Sequence, residues 1–186
     1  GQVAGGLGPG SRVTGVLSDS RQVQPGNIYV ALVGGNTDGH RYIAEAMEKG
    51  AVAVVGSKLL TEPLPVPYVR VENTRQALAD LAAAFYDFPA RQMTVVGVTG
   101  TDGKTTTANL IYQMLLAGGK RAGIRTTVNA VIGEEVLDTG FHVTTPEAPE
   151  VQRYLASMLA AGITHVVMET KSHGLDQERM RGCAFD

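Results

Sequence analysis

The 186-residue chain has one cysteine, Cys183, so no disulfide can close within it. A reducing compartment is the simple reading, and a cytoplasmic setting is expected. It also lacks an excess of positive charge: 16 Lys and Arg stand against 18 Asp and Glu, a net charge of −2. No basic surface field follows from that balance, so non-specific nucleic-acid or anionic-membrane binding is not expected. No apolar run is long enough to span a bilayer, and no signal-peptide pattern stands before the first strand, so no membrane insertion is expected. Internal repeats and low-complexity tracts are absent. There is no initial methionine, and 183–186 reads as an apolar segment beginning, so a longer parent protein is expected. What is present suffices for one or two compact domains, with 44% hydrophobic and 18% charged residues.

The chain is organised around residues 95–107, Val-Val-Gly-Val-Thr-Gly-Thr-Asp-Gly-Lys-Thr-Thr-Thr. Val95, Val96 and Val98 read as a buried parallel strand. Gly100 and Gly103 allow a tight turn and close approach to a ligand. Lys104 and Thr105 then open a helix whose first amides have no internal acceptor. Those donors, the helix dipole and the lysine charge form a phosphate cradle, and the Thr105 hydroxyl is placed for Mg²⁺. The general P-loop pattern puts a glycine where Val98 stands, and an ordinary glycine turn is the bland alternative.

The rest reads as alternating strands and helices. Residues 1–11 are glycine-rich and expected to be irregular. Strands are expected over 13–17, 28–33, 51–55 and 68–71, and a helix over 40–49 ending at Gly50. Residues 61–67 are a proline-rich connector. Thr74 is read as the N-cap of a helix to about residue 86, with Leu78, Leu81 and Phe85 on one face. A domain boundary is placed at 90/91. In the second unit a helix is expected over 104–117, with Leu110, Ile111, Met114 and Leu115 as its buried stripe. A strand over 121–125, a hairpin over 128–137 and a helix opened by Thr145 and Pro146 follow. Val151, Leu155, Met158 and Leu159 give that last helix an apolar face. A strand over 164–168 delivers Glu169 to its carboxyl end, where ligands of parallel sheets bind.

A carboxylate at a buried strand end needs a cation or a partner. Mg²⁺ shared with Thr105 is one reading, and capping or a salt bridge to Lys171 is the other. His173 is read as structural or substrate-orienting. His165 is read as structural, and no motif elevates His40 or His142 to a catalytic role.

Residues 99–106, Thr-Gly-Thr-Asp-Gly-Lys-Thr-Thr, with 144–147, Thr-Thr-Pro-Glu, and Glu169 followed by Ser172, His173, Gly174 and Leu175, resemble the Mur ligases. The likeness is greatest to the MurE type, which adds the third residue of the peptidoglycan stem peptide. Asp19-Ser20-Arg21, Pro25-Gly26 and Asp38-Gly39-His40 look like the substrate domain of that type, so the resemblance covers most of the chain. It implies an α/β fold: a small N-terminal α/β substrate domain (1–90), then a P-loop-type central domain with a mainly parallel sheet (91–186), incomplete at its C-terminal end.

The resemblance also implies an ATP-dependent ligase. ATP activates the terminal carboxylate of UDP-N-acetylmuramoyl-L-alanyl-D-glutamate as an acyl phosphate, and meso-diaminopimelate or L-lysine attacks it. Gly100, Thr101, Asp102, Gly103, Lys104, Thr105 and Thr106 would bind ATP, with Lys104 and Glu169 catalytic and Thr105 and Glu169 on Mg²⁺. Ser18, Ser20, Gly35, Asn36 and Thr37 would surround the uridine end. Thr144, Thr145, Lys171, Gln177 and Arg179 would contact the rest of the substrate. Helix capping is the alternative for Thr144 and Thr145, and a solvated turn for Gln177 and Arg179. Two residues depart from the family pattern: Asp102 stands where asparagine is usual, and Lys171 where serine is usual. Lys171 either meets substrate phosphate or competes with Mg²⁺ for Glu169. A monomer that is inactive without a further C-terminal domain is expected. The competing readings are another P-loop NTPase, a different Mur-type ligase, a folylpolyglutamate synthase, or a non-catalytic module.

Overall fold

The computed structural model describes residues 2–4, 12–34, 37–126, 129–132, 135–138 and 146–186. These fall into two compact units, 1–85 and 86–186.

The first unit is a five-stranded sheet in the order β1-β5-β4-β3-β2. Its strands are β1 (Gln2–Ala4), β2 (Gly15–Leu17), β3 (Asn27–Val30), β4 (Ala53–Gly56) and β5 (Tyr68–Arg70). β2 to β5 run parallel, and β1 joins β5 antiparallel. That pairing corrects the irregular reading of 1–11 at its first few residues.

Alternation along the strands divides the core between two helices. Tyr29, Ala31, Val54 and Tyr68 pack with Ile43 and Ala46 of α1 (Ile43–Glu48). Val16, Val30 and Val55 pack with Leu78 of α2 (Thr74–Phe85) on the other face. The segment expected as one helix over 40–49 is instead a 3₁₀ turn, Gly39–Tyr42, capped by Asp38 and followed by α1. At α2 the Asn73 side chain accepts from the amides of Arg75 and Gln76, so the capping side chain is Asn73, one residue before Thr74.

The second unit holds β6 (Thr94–Val98), α3 (Lys104–Ala117), β7 (Ala122–Arg125), β8 (Asn129–Ile132), β9 (Glu135–Asp138), α4 (Ala148–Ala160), β10 (His165–Glu169) and α5 (Ser172–Asp176). The order is β6-β10-β7-β8-β9. β6, β10 and β7 are parallel, and β8 and β9 add the expected hairpin at one edge. α3 covers Val98, Ile124 and Val167, while α4 covers Val95, Val166 and Met168 from the other side.

Val151, Leu155 and Met158 of α4 have no exposed surface, and each such side chain contributes about 1.5–3 kcal/mol by burial. Pro149, not Pro146, stands in the first turn of α4, and Glu147 is its N-cap. The expected stripe of α3 is half wrong. Ala108 and Tyr112 are its buried residues, with Ile111 and Leu115 packed beside them. Leu110 and Met114 are 61% and 73% exposed. Apolar residues lie on several sides of this helix, and contact with β7 and β10 selects the buried one.

Candidate functional site

The phosphate-loop motif has the predicted strand–loop–helix form. β6 stops at Val98 and α3 starts at Lys104. Gly100 (φ +152°) and Gly103 (φ +73°) hold left-handed conformations that favour glycine. A Cβ on Gly103 would meet nothing within 4 Å, so the cradle is open there and glycine is needed for its φ alone. The first bond of α3 runs from the Thr107 amide to the Gly103 carbonyl at 2.9 Å. The amides of Lys104, Thr105 and Thr106 thus precede any helical acceptor, at the positive end of the dipole. Lys104 Nζ donates to the carbonyls of Gly100 (2.8 Å) and Thr101 (2.9 Å), so the lysine lies back over its own loop.

Parallel pairing brings the acid to this loop. Glu169 of β10 is in register with Val98, and the Thr170 amide continues the ladder to the Val98 carbonyl at 2.9 Å. The Glu169 side chain, on a residue 2% exposed, accepts a 2.9 Å hydrogen bond at Oε2 from Thr105 Oγ1. Two hard oxygen donors from separate elements face each other beside the cradle, which suits Mg²⁺. Among the described residues no group of three or more His, Cys, Asp or Glu could hold a metal. A cation here would therefore take its other ligands from water and phosphate, as Mg²⁺ with a nucleotide does.

The sequence reading missed Arg125. It ends β7 beside Met168 in register, and it is 2% exposed. Its guanidinium stands 5.9 Å from the Tyr154 ring centroid. Burial lowers its pKa, while Glu150, Tyr154 and Glu169 act to raise it. A terminal strand residue gives no periodic signal of this role.

Of the other expected residues, Asp102 and Lys171 are exposed. β10 ends at Glu169, and Lys171 is the N-cap residue of α5. Gln177 pairs with His173, Nε2 to Nε2, at 2.7 Å. Arg179 makes a 3.0 Å salt bridge to Glu147, drawing the turn after α5 to the N-cap of α4. Thr144 and Thr145, with Gly35, Asn36 and His142, lie outside the described residues. His165 shares a 2.9 Å hydrogen bond with the neighbouring Thr164 hydroxyl.

In the first unit Ser18, Ser20, Gly34 and Thr37 line one cavity of about 530 Å³, together with Tyr29, Leu32, Tyr42, Glu45 and Arg75. The Ser20 hydroxyl donates to Glu45 Oε2 at 2.9 Å, and Lys49 Nζ binds Glu45 Oε1 at 2.8 Å. These partners, Lys49 first, lower the Glu45 carboxyl pKa. Arg21 similarly lowers Asp19. Burial pushes the Tyr29 phenol up to about 12, and its hydroxyl donates to the Gly39 carbonyl at 2.9 Å.

Two family models match, one within each part of the chain. Residues 12–86 match the Mur ligase family, catalytic domain, and residues 98–186 match the Mur ligase middle domain. The chain belongs to the Mur ligase family. It is 50% identical over 177 residues to a UDP-N-acetylmuramyl-tripeptide synthetase of Roseiflexus sp. (strain RS-1), covering 94% of this chain and 35% of that protein. It is 38% identical over 175 residues to a UDP-N-acetylmuramoyl-L-alanyl-D-glutamate–2,6-diaminopimelate ligase of Cytophaga hutchinsonii, covering 93% of this chain and 36% of the relative. A solved diaminopimelate ligase superposes with TM-score 0.77 at 26% identity, over 94% of this chain and 35% of its own. The Thermotoga maritima MurF ligase, solved with ADP, superposes with TM-score 0.56 at 25% identity, over 94% of this chain and 35% of its own. This Mur ligase chain thus spans about a third of the relatives it matches.

Proposed function

We propose that this chain supplies the substrate and nucleotide domains of a cytoplasmic, ATP-dependent amide ligase of peptidoglycan synthesis. The enzyme would add the third stem residue, meso-diaminopimelate or L-lysine, to UDP-N-acetylmuramoyl-L-alanyl-D-glutamate. The observation that carries this reading is the Thr105–Glu169 hydrogen bond of 2.9 Å beside the open loop.

ATP supplies the phosphoryl group that activates the substrate carboxylate, and Mg²⁺ supplies positive charge at its oxygens. The amides of residues 100–106 bind the phosphates. Lys104 leaves the Gly100 and Thr101 carbonyls for them, bringing charge to the group in transfer. Thr105 and Glu169 hold the cation. Ser18, Ser20, Gly35, Asn36 and Thr37 hold the uridine end; Thr144, Thr145, Lys171, Gln177 and Arg179 orient the muramoyl peptide and its diphosphate. The part of the enzyme that receives the incoming amino acid belongs to the remaining two-thirds of its relatives' length.

Thermal-shift measurements test the reading. Stabilisation by ATP·Mg²⁺ and, separately, by UDP-N-acetylmuramoyl-dipeptide is expected. Response to nucleotide alone would point to another P-loop NTPase, and response to neither would reject a ligand-binding role for both units.

A further inference from the structure

The 3₁₀ turn after β3 carries an unusual set of contacts. His40 Nε2 accepts the backbone amides of Ser57 (3.0 Å) and Lys58 (3.3 Å). With Nε2 an acceptor twice over, the ring proton resides on Nδ1 and is donated to Asp38 Oδ1 at 2.7 Å. The same Oδ1 accepts the His40 amide at 3.0 Å, and Asp38 Oδ2 is paired with Lys58 Nζ. Lys58 is fastened a third time, because the Tyr68 hydroxyl donates to its carbonyl at 2.7 Å. His40 and Asp38 thereby join the loop after β3 to the loop after β4.

The segment so fastened forms a wall of the 530 Å³ cavity: Leu32, Gly34, Thr37, Gly39 and Tyr42 all line it. The wall closes on itself through the Gly34 amide to the Thr37 carbonyl (2.9 Å) and the Gly39 amide to the Leu32 carbonyl (2.8 Å). Beyond that closure, the His40 contacts tie the wall to the loop that follows the neighbouring strand β4. Neither His40 nor Ser57 lines the cavity.

We propose that His40 is a positioning residue for the uridine-diphosphate end of the substrate, acting through Asp38 and the Ser57 and Lys58 amides to fix the cavity-lining residues Thr37, Gly39 and Tyr42. This rests on the reading of that cavity as the nucleotide-sugar site. His40 touches no ligand; it sets the geometry of residues that do.

Gly56 offers a second handle away from the cavity. A Cβ there would meet the Tyr68 hydroxyl and lie 2.7 Å from His40 Nε2, so Gly56→Ala displaces the ring from behind.

The test uses the whole 186-residue chain, with UDP as one probe and a non-hydrolysable ATP analogue with Mg²⁺ as the other. Calorimetry is run well below each variant's unfolding midpoint. His40→Ala and Gly56→Ala are each expected to weaken UDP about tenfold and to leave the ATP analogue unchanged. Asp38→Ala combined with His40→Ala is expected to weaken UDP no more than either alone, because both break one connection. Unchanged UDP affinity in both single variants overturns the role of His40 and leaves the cavity reading standing. Equal losses for both probes overturn it too, since the effect is then global. Failure of the unmodified chain to bind UDP overturns the cavity reading, and the positioning role falls with it.

Discussion

Thr105 and Glu169 are 64 residues apart in sequence, yet the threonine hydroxyl donates to the glutamate carboxylate at 2.9 Å. Parallel strands β6 and β10 make the contact possible, because each ends at the same level of the sheet. A cation between the two turns a donor–acceptor pair into two donors of oxygen lone pairs. Glu169→Gln keeps the shape and removes the charge. Its affinity for the Mg²⁺ complex of an ATP analogue is expected to fall about 10- to 100-fold. Affinity for the metal-free nucleotide should stay the same, and calorimetry with and without Mg²⁺ reads the difference.

Lys104 and Gly103 should separate binding from folding. The ammonium of Lys104 rests on exposed loop carbonyls, so Lys104→Ala should change stability by about 0.5 kcal/mol or less while weakening nucleotide. Gly103→Ala meets no steric neighbour but needs φ +73°, a cost of about 1 kcal/mol. Urea unfolding paired with nucleotide titration distinguishes the two patterns.

The helix faces of the second unit can be checked by substitution. Leu110→Lys and Met114→Lys lie on exposed positions and should stay within about 0.5 kcal/mol of the parent. Leu155→Ala, in the core beneath α4, should cost about 2–5 kcal/mol. A large loss from the α3 lysines would show that the face is covered.

Alkaline pH should act through Cys183. Burial pushes its thiol up to about 12. A thiol with a raised folded pKa stays neutral in the native state while the unfolded chain ionises near about 8.5. Its contribution is complete below that value and is lost as pH rises towards 12. Native protein at pH 8 should resist alkylation, and denatured protein should label fully. Cys183→Ser should flatten the alkaline fall in stability.

Acid should act through Asp38, whose carboxyl is held well below the ordinary range by Lys58 first and then by His40. A depressed carboxyl stabilises the fold above its unfolded pKa of about 3.9, and the effect is lost as pH falls below that. Asp38→Asn should therefore lower stability most at neutral pH and reduce the slope of stability against pH below about 4. Chemical unfolding at pH 2.5 to 7 gives the comparison.

Much of this was legible because it is local. Strands rich in valine, the glycines of 100–103 and the carboxylate closing residues 165–169 carry their own conformational preferences. Features decided by tertiary contact were harder to read. α3 has apolar residues on more than one side, so only packing against Ile124 and Val167 tells Tyr112 from Met114. Arg125 is a cation at a strand end, and nothing in its neighbours' residue types announces burial beside Tyr154. The contacts of His40 are not legible in sequence because its partners, the amides of Ser57 and Lys58, are backbone groups that no motif records. The residues expected at the uridine end were nameable only by resemblance; geometry puts Arg75, Tyr42 and Glu45 in one cavity with Ser18, Ser20 and Thr37.

Among the described residues β6 is the outermost strand on its side of the second sheet. Its Val95 amide bonds Asp186 Oδ2 at 2.9 Å, and its Val95 carbonyl takes the Asp186 amide at 3.1 Å. Gly97, two residues on, is exposed, with the Phe185 ring 3.0 Å from where its Cβ would lie. A rim of this kind templates edge-to-edge association between molecules. Preparations of this 186-residue chain should consequently self-associate more readily once Asp186 is replaced by alanine, and a lysine at Thr94 is the substitution to keep them dispersed.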